Sequence, residues 1–411
     1  MARPVDTQTV PGRTAAEHLP CFDGLRAVAA VSIVMHHAAI ETAFNLRSTL
    51  GHYTSRLDAG VQIFFLISGF LLYRPFVAAA FDGRAPMSPR VFFRHRFLRI
   101  FPAYIVAYIG IWLFIGLNQP VPGARTVVEQ LFLVHLYDPT NHGGRALGGI
   151  SQSWTLVVEL SFYLIVPLYA YVMRRVGAGA DRDRRFVLEL RGLVVLYLIA
   201  IAWRAFDIWI LAPGPVRNLG QYWLPAQLDL FAMGMFLAVV RTWQQRRDEP
   251  VRILEKVGSV DWLWWLCALG VFTIVTYSVG LPNALKTVWG WKAYAKQTLY
   301  GLTAFFLLLP AVFGPQDRGP VRRFLQLAPV VYLGTISYGI YLWHQGFIEK
   351  IHQWGGWAVE SPTNPLYTFR GNYWLHVFGA LGLSVVLATL SYYLVERRFL
   401  RMKNRPLFGK L

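Results

Sequence analysis

Residues 22–37 read Phe-Asp-Gly-Leu-Arg-Ala-Val-Ala-Ala-Val-Ser-Ile-Val-Met-His-His. The segment is apolar enough for a membrane helix, yet it carries Arg26, His36 and His37. In a helix, the eleven residues from Arg26 to His37 rotate by about 20° net and rise about 16 Å. These two side chains therefore share one face, while His36 points elsewhere. Ionisable residues in a bilayer usually face a bundle interior or a water-filled cavity, so this face is the first candidate for function.

Two structural explanations compete with that interpretation. Taken singly, Arg26 could be an arginine that snorkels to the lipid headgroups. His37 could be a neutral histidine that is hydrogen-bonded in the core. A functional role for either residue therefore depends on what else lies at the same depth.

The composition indicates a membrane protein. The chain has 411 residues, of which 55% are hydrophobic and 15% charged, whereas soluble domains have about 25% charged residues. Its mean hydropathy is +0.39. We therefore predict an all-α integral membrane protein with about ten transmembrane helices. The apolar segments span residues 24–43, 59–80, 99–117, 151–173, 190–211, 221–240, 262–281, 296–313, 328–350 and 373–396.

The distribution of arginine predicts the orientation. Arginines cluster in every second connection between the apolar segments, and the intervening loops are poorer in Lys and Arg. By the positive-inside rule, this pattern places both termini in the cytoplasm of a multi-pass protein of the plasma (inner) membrane. We predict a disordered cytoplasmic tail at 1–20, a transmembrane domain at 21–399 and a basic cytoplasmic tail at 400–411.

The net charge of +18 does not indicate nucleic-acid binding. The positive residues are dispersed over short loops beside helix ends, where they orient the chain and meet anionic lipid. A nucleic-acid site would gather them in one patch. The chain has two cysteines, Cys21 and Cys267, and their spacing predicts neither a disulfide framework nor a zinc site. We predict the lipid bilayer as a partner, no nucleic acid and no metal.

Four further polar residues extend the candidate site. Arg96 and Arg99 are three residues apart near a helix start, where a pair of guanidinium groups can receive phosphate. The alternative is a solvated basic loop. Glu159 lies about 13 Å below the outer surface by the helical rise, and His344 lies at roughly the depth of Glu159 and His37. Titratable groups at one level on three helices predict a site.

Other intramembrane residues have structural interpretations. Arg204 is expected to form a buried ion pair with Asp229 or Asp207. The small residues Ser68 and Gly69 are expected to let a neighbouring helix approach closely. Neither set requires a functional explanation.

Five motifs, in chain order, resemble those of the membrane acyltransferase-three family, and the resemblance covers nearly the whole chain. Each motif alone is common, but the ordered set is specific. The motifs are Asp-Gly-Leu-Arg followed by His37, Ile63-Phe-Phe-Leu-Ile-Ser-Gly-Phe70, Arg96-x-x-Arg99, Ser153-Trp-Thr-Leu-Val-Val-Glu159 and Ser337-Tyr-Gly-Ile-Tyr-Leu-Trp-His344.

The resemblance implies an integral membrane O-acyltransferase. Members of this family move an acyl group, most commonly acetyl, from acyl-CoA to a hydroxyl of a surface glycan, a glycolipid or a macrolide. The implied donor here is cytoplasmic acyl-CoA, with acetyl-CoA the first candidate, and the acceptor arrives from the outer side. By their place in the motifs, the implied catalytic residues are His37, Glu159 and His344, and the implied donor-binding residues are Arg26, Arg96 and Arg99.

A proton-coupled transporter or flippase of a lipid-linked sugar or small solute is the main alternative. Intramembrane Arg, Glu and His would suit such a carrier, and ten helices could form two five-helix halves. The two halves, however, show no similarity, and the pattern of Arg26 and His37 has no counterpart near the sixth segment. A non-catalytic membrane scaffold is a third alternative, which would leave the buried charges unexplained.

Overall fold

A computed structural model describes residues 19–114, 123–138, 140, 150–283, 287–357 and 371–402. This part of the chain is helical throughout and has no strand, which confirms the predicted all-α class. Nearly all of both predicted tails lies outside the described residues, as do parts of several loops.

Ten long helices and one helix of eight residues carry the fold. They are α1 (Pro20–Glu41), α2 (Gly60–Phe81), α3 (Pro89–Phe114), α4 (Trp154–Val176), α5 (Arg182–Trp209), α6 (Leu224–Gln244), α7 (Asp261–Tyr277), α8 (Trp291–Val312), α9 (Ala328–Thr335), α10 (Ser337–Trp354) and α11 (Tyr373–Ser391). Short α-helical segments are Phe44–Arg47, Gly51–Thr54, Ala124–Leu131, Pro215–Gly220, Arg252–Ser259, Pro320–Leu325 and Arg397–Met402. Short 3₁₀ segments are Leu57–Ala59, His135–Tyr137 and Ser151–Ser153, and a π-helical turn at Tyr392–Glu396 follows α11.

Seven helices of the described residues are long and apolar enough to cross a membrane. An eighth span results if Arg252–Ser259 and α7, which meet at 76°, are counted together. These eight coincide with eight of the ten predicted segments. The spans are Gly51–Phe81, Pro89–Phe114, Ser151–Val176, Arg182–Trp209, Pro215–Gln244, Trp291–Val312 and Tyr373–Met402.

The two remaining predicted segments coincide with α1 and with α9 and α10. Helices α1 and α10 fall outside the apolar set because they carry polar residues such as Arg26, His37 and His344, and α9 because it has only eight residues. Helix α1 packs against α2, α8, α9, α10 and α11, so other helices rather than lipid cover much of its surface. A helix in that position does not need the uniformly apolar surface of a lipid-facing span.

Helices α2 and α6 are in close contact at the centre of the bundle. A Cβ atom on Gly69 would clash with the carbonyl oxygen of Phe231, and one on Gly234 would clash with that of Leu66. The predicted close approach at Gly69 is therefore confirmed. Ser68 has a different role, because its hydroxyl is hydrogen-bonded to Glu159.

A buried ion pair connects α5 to α6. The Arg204 guanidinium lies 2.9 Å from the Asp229 carboxylate and donates to the carbonyl oxygen of Ala226 at 2.7 Å. This contact confirms the predicted ion pair and identifies Asp229, rather than Asp207, as the partner. Because both charges are buried, removing either partner alone would leave an uncompensated charge.

The loops that follow α2 and α6 are joined by a second ion pair. Asp82 accepts hydrogen bonds from the guanidinium of Arg246 and is also paired with Arg84. The hydrogen bonds from Arg246, with the charge of Arg84, lower the pKa of the Asp82 carboxyl to about 2. Asp82 is therefore negatively charged at neutral pH, as its ion pair with Arg246 requires.

Candidate active site

Two histidines from α1 and α10 are in direct contact. The Nδ1 atom of His37 lies 2.8 Å from the Nε2 atom of His344, and the two rings are parallel to within 2° with centroids 5.0 Å apart. His344 is fully buried and His37 is half-buried. The structure thus joins two of the predicted catalytic residues, which are 307 positions apart in the chain.

The hydrogen bonds of this pair determine where its protons lie. The Nδ1 atom of His344 is 2.8 Å from the carbonyl oxygen of Tyr341. Because a carbonyl oxygen can only accept, Nδ1 of His344 carries a proton, and in neutral His344 the Nε2 atom accepts from Nδ1–H of His37. The lone pair of a neutral His37 is therefore on Nε2. That atom has no hydrogen-bond partner in the described part of the chain.

Helix α10 is held at this point by the short segment that precedes α4. The side-chain amide of Gln152 donates to the carbonyl oxygens of Tyr341 at 2.9 Å and Leu342 at 3.1 Å. The Tyr341 hydroxyl donates to the backbone oxygen of Gln152 at 2.9 Å and lies 2.8 Å from the Thr155 hydroxyl. Sequence reasoning did not single out Gln152, although it lies beside the motif that ends at Glu159. Its contacts orient the carbonyl group that fixes the tautomer of His344.

A cavity of about 100 Å³ lies between α1, α2, α3, α4 and α10, on the side of Tyr341 away from the histidines. Its wall includes the predicted donor-binding residues Arg26, Arg96 and Arg99, together with Glu159. Arg26 therefore faces the interior of the bundle, where it is paired with Asp23 at 2.8 Å. This position is contrary to the alternative that Arg26 snorkels to the headgroups.

Glu159 belongs to the arginine cavity and not to the histidine pair. Its Oε1 atom accepts hydrogen bonds from the hydroxyls of Ser68 and Tyr163, each at 2.8 Å. Neither His37 nor His344 is in the wall of this cavity. The prediction placed the three groups at one depth, and in the structure the hydrogen-bond partners of Glu159 are Ser68 and Tyr163 rather than either imidazole. Ser68 lies within a quoted motif and Tyr163 lies four residues after Glu159, yet their polarity alone did not identify them as hydrogen-bond partners of Glu159.

The cavity carries more positive than negative charge. The guanidinium of Arg96 lies over the rings of Phe92 and Tyr163, with centroid distances of 5.6 and 5.8 Å. Neither Arg96 nor Arg99 is within 4.0 Å of a carboxylate in the ranges that the structure describes. A site with uncompensated guanidinium groups inside a bundle is suited to an anion, and phosphate is the anion that arginine binds best in bidentate geometry.

Tyr341 joins the cavity to the histidines. It lines the cavity, and its ring centroid is 5.7 Å from that of His344 and 6.0 Å from that of Phe64. His344 lies three residues further along α10, a rise of about 4.5 Å on the same side of the helix. The two groups of residues are therefore adjacent in the interior of the bundle.

The second histidine of the α1 motif has a different hydrogen-bond partner. Nδ1 of His36 is 3.0 Å from the carbonyl oxygen of Thr54, so the ring is held by the segment that connects α1 to α2. This contact agrees with the predicted divergence of His36 from the face of His37. His36 is a buried structural residue, and it provides a neighbouring histidine for comparison.

The chain is similar in sequence to known proteins. Residues 19–393 match the family model described as "Acyltransferase domain". The chain is 32% identical to Acyltransferase MdmB of Streptomyces mycarofaciens over 94% of this chain and 93% of that protein. It is 22% identical to Peptidoglycan O-acetyltransferase OatA of Listeria monocytogenes over 93% of this chain but only 56% of that protein. The chain thus spans about half the length of this peptidoglycan relative. No solved structure matches it.

Proposed function

The chain belongs to the membrane acyltransferase-three family and is an O-acyltransferase, and from this premise we propose its donor, its acceptor and the roles of its residues. The donor is acyl-CoA that enters from the cytoplasm, with acetyl-CoA as the first candidate. The acceptor is a hydroxyl of an extracytoplasmic carbohydrate, glycolipid or macrolide. Family membership favours this enzyme over the transporter considered above.

The observation that carries this proposal is the unpaired Nε2 atom of His37. With its Nδ1 proton directed to His344, a neutral His37 presents its lone pair on the opposite side of the ring. As general base, Nε2 takes the proton of the acceptor hydroxyl while the oxygen attacks the thioester carbonyl carbon. The carbon–sulfur bond then breaks, and the CoA thiolate leaves and takes up the proton. The same atom could instead accept the acyl group transiently before it passes to the hydroxyl.

Within this proposal, His344 and Gln152 act through His37. The imidazole of His344 holds the ring of His37 in one tautomer, and Gln152 supports the carbonyl group that holds His344. His344 can also share the positive charge that develops on His37 during proton transfer. Hydrogen bonds of this kind orient a catalytic base and fix its tautomer.

The three arginines would hold the phosphates of the donor. Arg26, Arg96 and Arg99 line one cavity, whose positive charge exceeds that of Glu159 and Asp23. From this cavity, the narrow pantetheine arm would extend past Tyr341 to His37. The rise of about 16 Å between Arg26 and His37 gives the required reach. Glu159, fixed by Ser68 and Tyr163, would contribute one negative charge to the same cavity.

The first test is turnover by the purified protein. With acetyl-CoA labelled in the acetyl group, we expect release of CoA thiol, and transfer of label to a hydroxyl acceptor when a suitable glycan, glycolipid or macrolide is supplied. Acetyl-CoA should also raise the apparent melting temperature, because a ligand that binds only the folded state stabilises it. If no acyl-CoA of any chain length is bound or consumed, the donor assignment is wrong.

We also propose ten membrane spans with both termini in the cytoplasm. In this arrangement α1, and α9 with α10, are two interior spans added to the eight apolar ones. Exposed serines allow the sidedness to be measured, because Ser88 precedes α3 and Ser278 follows α7. In intact cells, a membrane-impermeant maleimide should label Ser278→Cys but not Ser88→Cys, in a background without Cys21 and Cys267. Labelling of Ser88→Cys alone would reverse the orientation, and labelling of both would refute the span count.

A further inference from the structure

A second, larger cavity lies on the other side of α1 from His37 and His344. Its volume is about 650 Å³, and its walls come from α1, α2, α7, α8 and the short helix Pro320–Leu325. Ser32, which lines it, is about 140° around α1 from His37. The body of α1 therefore separates this cavity from the acyl-transfer path, and the proposed reaction makes no use of it.

The interior of this cavity offers no free hydroxyl. Ser32 donates to the carbonyl oxygen of Ala29 at 2.8 Å, and Thr303 donates to that of Leu299 at 2.8 Å. The rest of the wall is formed largely by aliphatic and aromatic side chains. A polar group placed there would lose its hydrogen bonds to water and gain none. The part of a ligand that occupies the cavity must therefore be hydrocarbon.

The length of the cavity matches one leaflet of a bilayer. Residues of α7 from Trp262 to Phe272 line it, a rise of about 15 Å. The hydrocarbon core of a membrane is about 30 Å thick, so one leaflet accounts for about 15 Å. A single lipid chain would extend along the cavity from the interface to the midplane.

Aromatic side chains mark the interface at one end. Trp262 and Trp265 begin α7, and the ring of Trp265 is 6.2 Å from that of Phe324. Trp is enriched at the level of lipid headgroups. The preceding helix Arg252–Ser259 turns away from α7 by 76°, with polar residues exposed and Leu254 packed against the core. An amphipathic helix in that orientation lies along the membrane surface.

The same end carries exposed positive charge. Arg318 precedes the residues of Pro320–Leu325 that line the cavity, Arg323 lies between two of them, and Arg252 and Lys256 lie on the surface helix. Of these four side chains, Arg318 forms an ion pair within the described ranges, and this pair, with its neighbour Asp317, is long at 4.0 Å. Basic residues at the interface attract anionic headgroups.

We propose that this cavity binds one anionic glycerophospholipid of the leaflet on the side of the arginine-rich loops. One acyl chain lies along α7 from Trp262 to Phe272, and the phosphate lies between Arg318 and Arg323. This lipid fills the space between α1 and α7 and so supports the helix that carries Arg26 and His37. The site is separate from the donor path and does not depend on the proposed acceptor.

The test is thermal unfolding of the delipidated, detergent-purified protein with added lipid. Phosphatidylglycerol should raise the apparent melting temperature by several degrees, and more than phosphatidylcholine with the same chains. Soluble glycerol 3-phosphate should have no effect, because the chain supplies much of the binding. Equal stabilisation by both phospholipids, or stabilisation by glycerol 3-phosphate alone, would refute the proposal.

Two variants separate the two parts of the site. Arg318→Ala/Arg323→Ala should remove the preference for phosphatidylglycerol, and Ala268→Phe, which fills the buried wall of the cavity, should remove stabilisation by both lipids. Arg182→Ala/Arg184→Ala, at exposed arginines on α5, removes the same charge elsewhere and should keep the full preference. Loss of the preference in this control, or an unchanged response in both cavity variants, would contradict the assignment.

Discussion

Replacement of His37 by alanine is expected to reduce acyl transfer by about 10²- to 10⁴-fold, the usual contribution of a general base. The substitution removes the Nε2 atom that would take the proton of the acceptor hydroxyl. It should leave the protein folded, because His37 is half-buried and its one hydrogen bond is to His344. The measurement is the rate of acetyl transfer, with the melting temperature of the same preparation as the check on folding. Turnover near the wild-type rate would refute the assignment of His37.

His36 provides the matched control for that experiment. It is the adjacent residue of α1, but its ring is hydrogen-bonded to the backbone of Thr54. His36→Gln keeps a side-chain donor for this carbonyl oxygen and should retain most of the activity. If His36→Gln lost activity as completely as His37→Ala while remaining folded, the effect would belong to the local structure of α1 rather than to the base.

Substitutions at His344 separate a positioning role from a direct one. Glutamine can accept the Nδ1–H bond of His37 through its amide oxygen, whereas leucine cannot. We therefore expect His344→Gln to retain much more activity than His344→Leu, in which the tautomer of His37 is no longer specified. A base in the wrong tautomer can cost about 10⁴ in rate. The pH dependence of the rate should also change in His344→Leu, which a merely structural role would not require.

The sequence predicted the positions of the helices well, because runs of apolar residues of bilayer length have few alternative explanations. It also predicted that Arg26 and His37 would share a face and that His36 would not, because helical periodicity fixes directions within one element. Periodicity does not determine which helix lies opposite. The direct contact of His37 with His344 depends on how α1 and α10 pack, and only their similar depth pointed to it.

The environment of Glu159 could not be predicted for the same reason. Depth along α4 placed its carboxylate near the level of the histidines, but lateral position depends on neighbours from α2 and α3. Ser68 was interpreted as a packing residue because small residues usually have that role in membrane helices. Its hydroxyl in fact donates a hydrogen bond to Glu159, while the adjacent Gly69 allows the close approach of α6. The arrangement of helices around the bundle thus determines that Ser68 forms a hydrogen bond while Gly69 forms the close helix contact.

Removal of both cavity arginines is the second substitution with a large expected effect. In Arg96→Ala/Arg99→Ala, the apparent KM for acetyl-CoA should rise by about 10- to 100-fold for each arginine removed, because a hydrogen bond to a charged group is worth about 1.5–3 kcal/mol. Arg96→Lys/Arg99→Lys should recover part of the loss, since lysine keeps the charge but not the bidentate geometry. The control Arg90→Ala, at an exposed arginine of the same helix, should be close to wild type.

A truncated donor shows whether these arginines act on phosphate. Acetyl-pantetheine carries the same thioester but no phosphate, so it cannot use Arg96 or Arg99. The wild type should strongly prefer acetyl-CoA, whereas Arg96→Ala/Arg99→Ala should treat the two donors nearly alike, because the mutation and the truncation remove the same interaction. The comparison cancels any general loss of folded protein, since both donors meet the same preparation. If the variant lost activity equally toward both donors, the arginines would support the fold and the phosphate site would have to lie elsewhere.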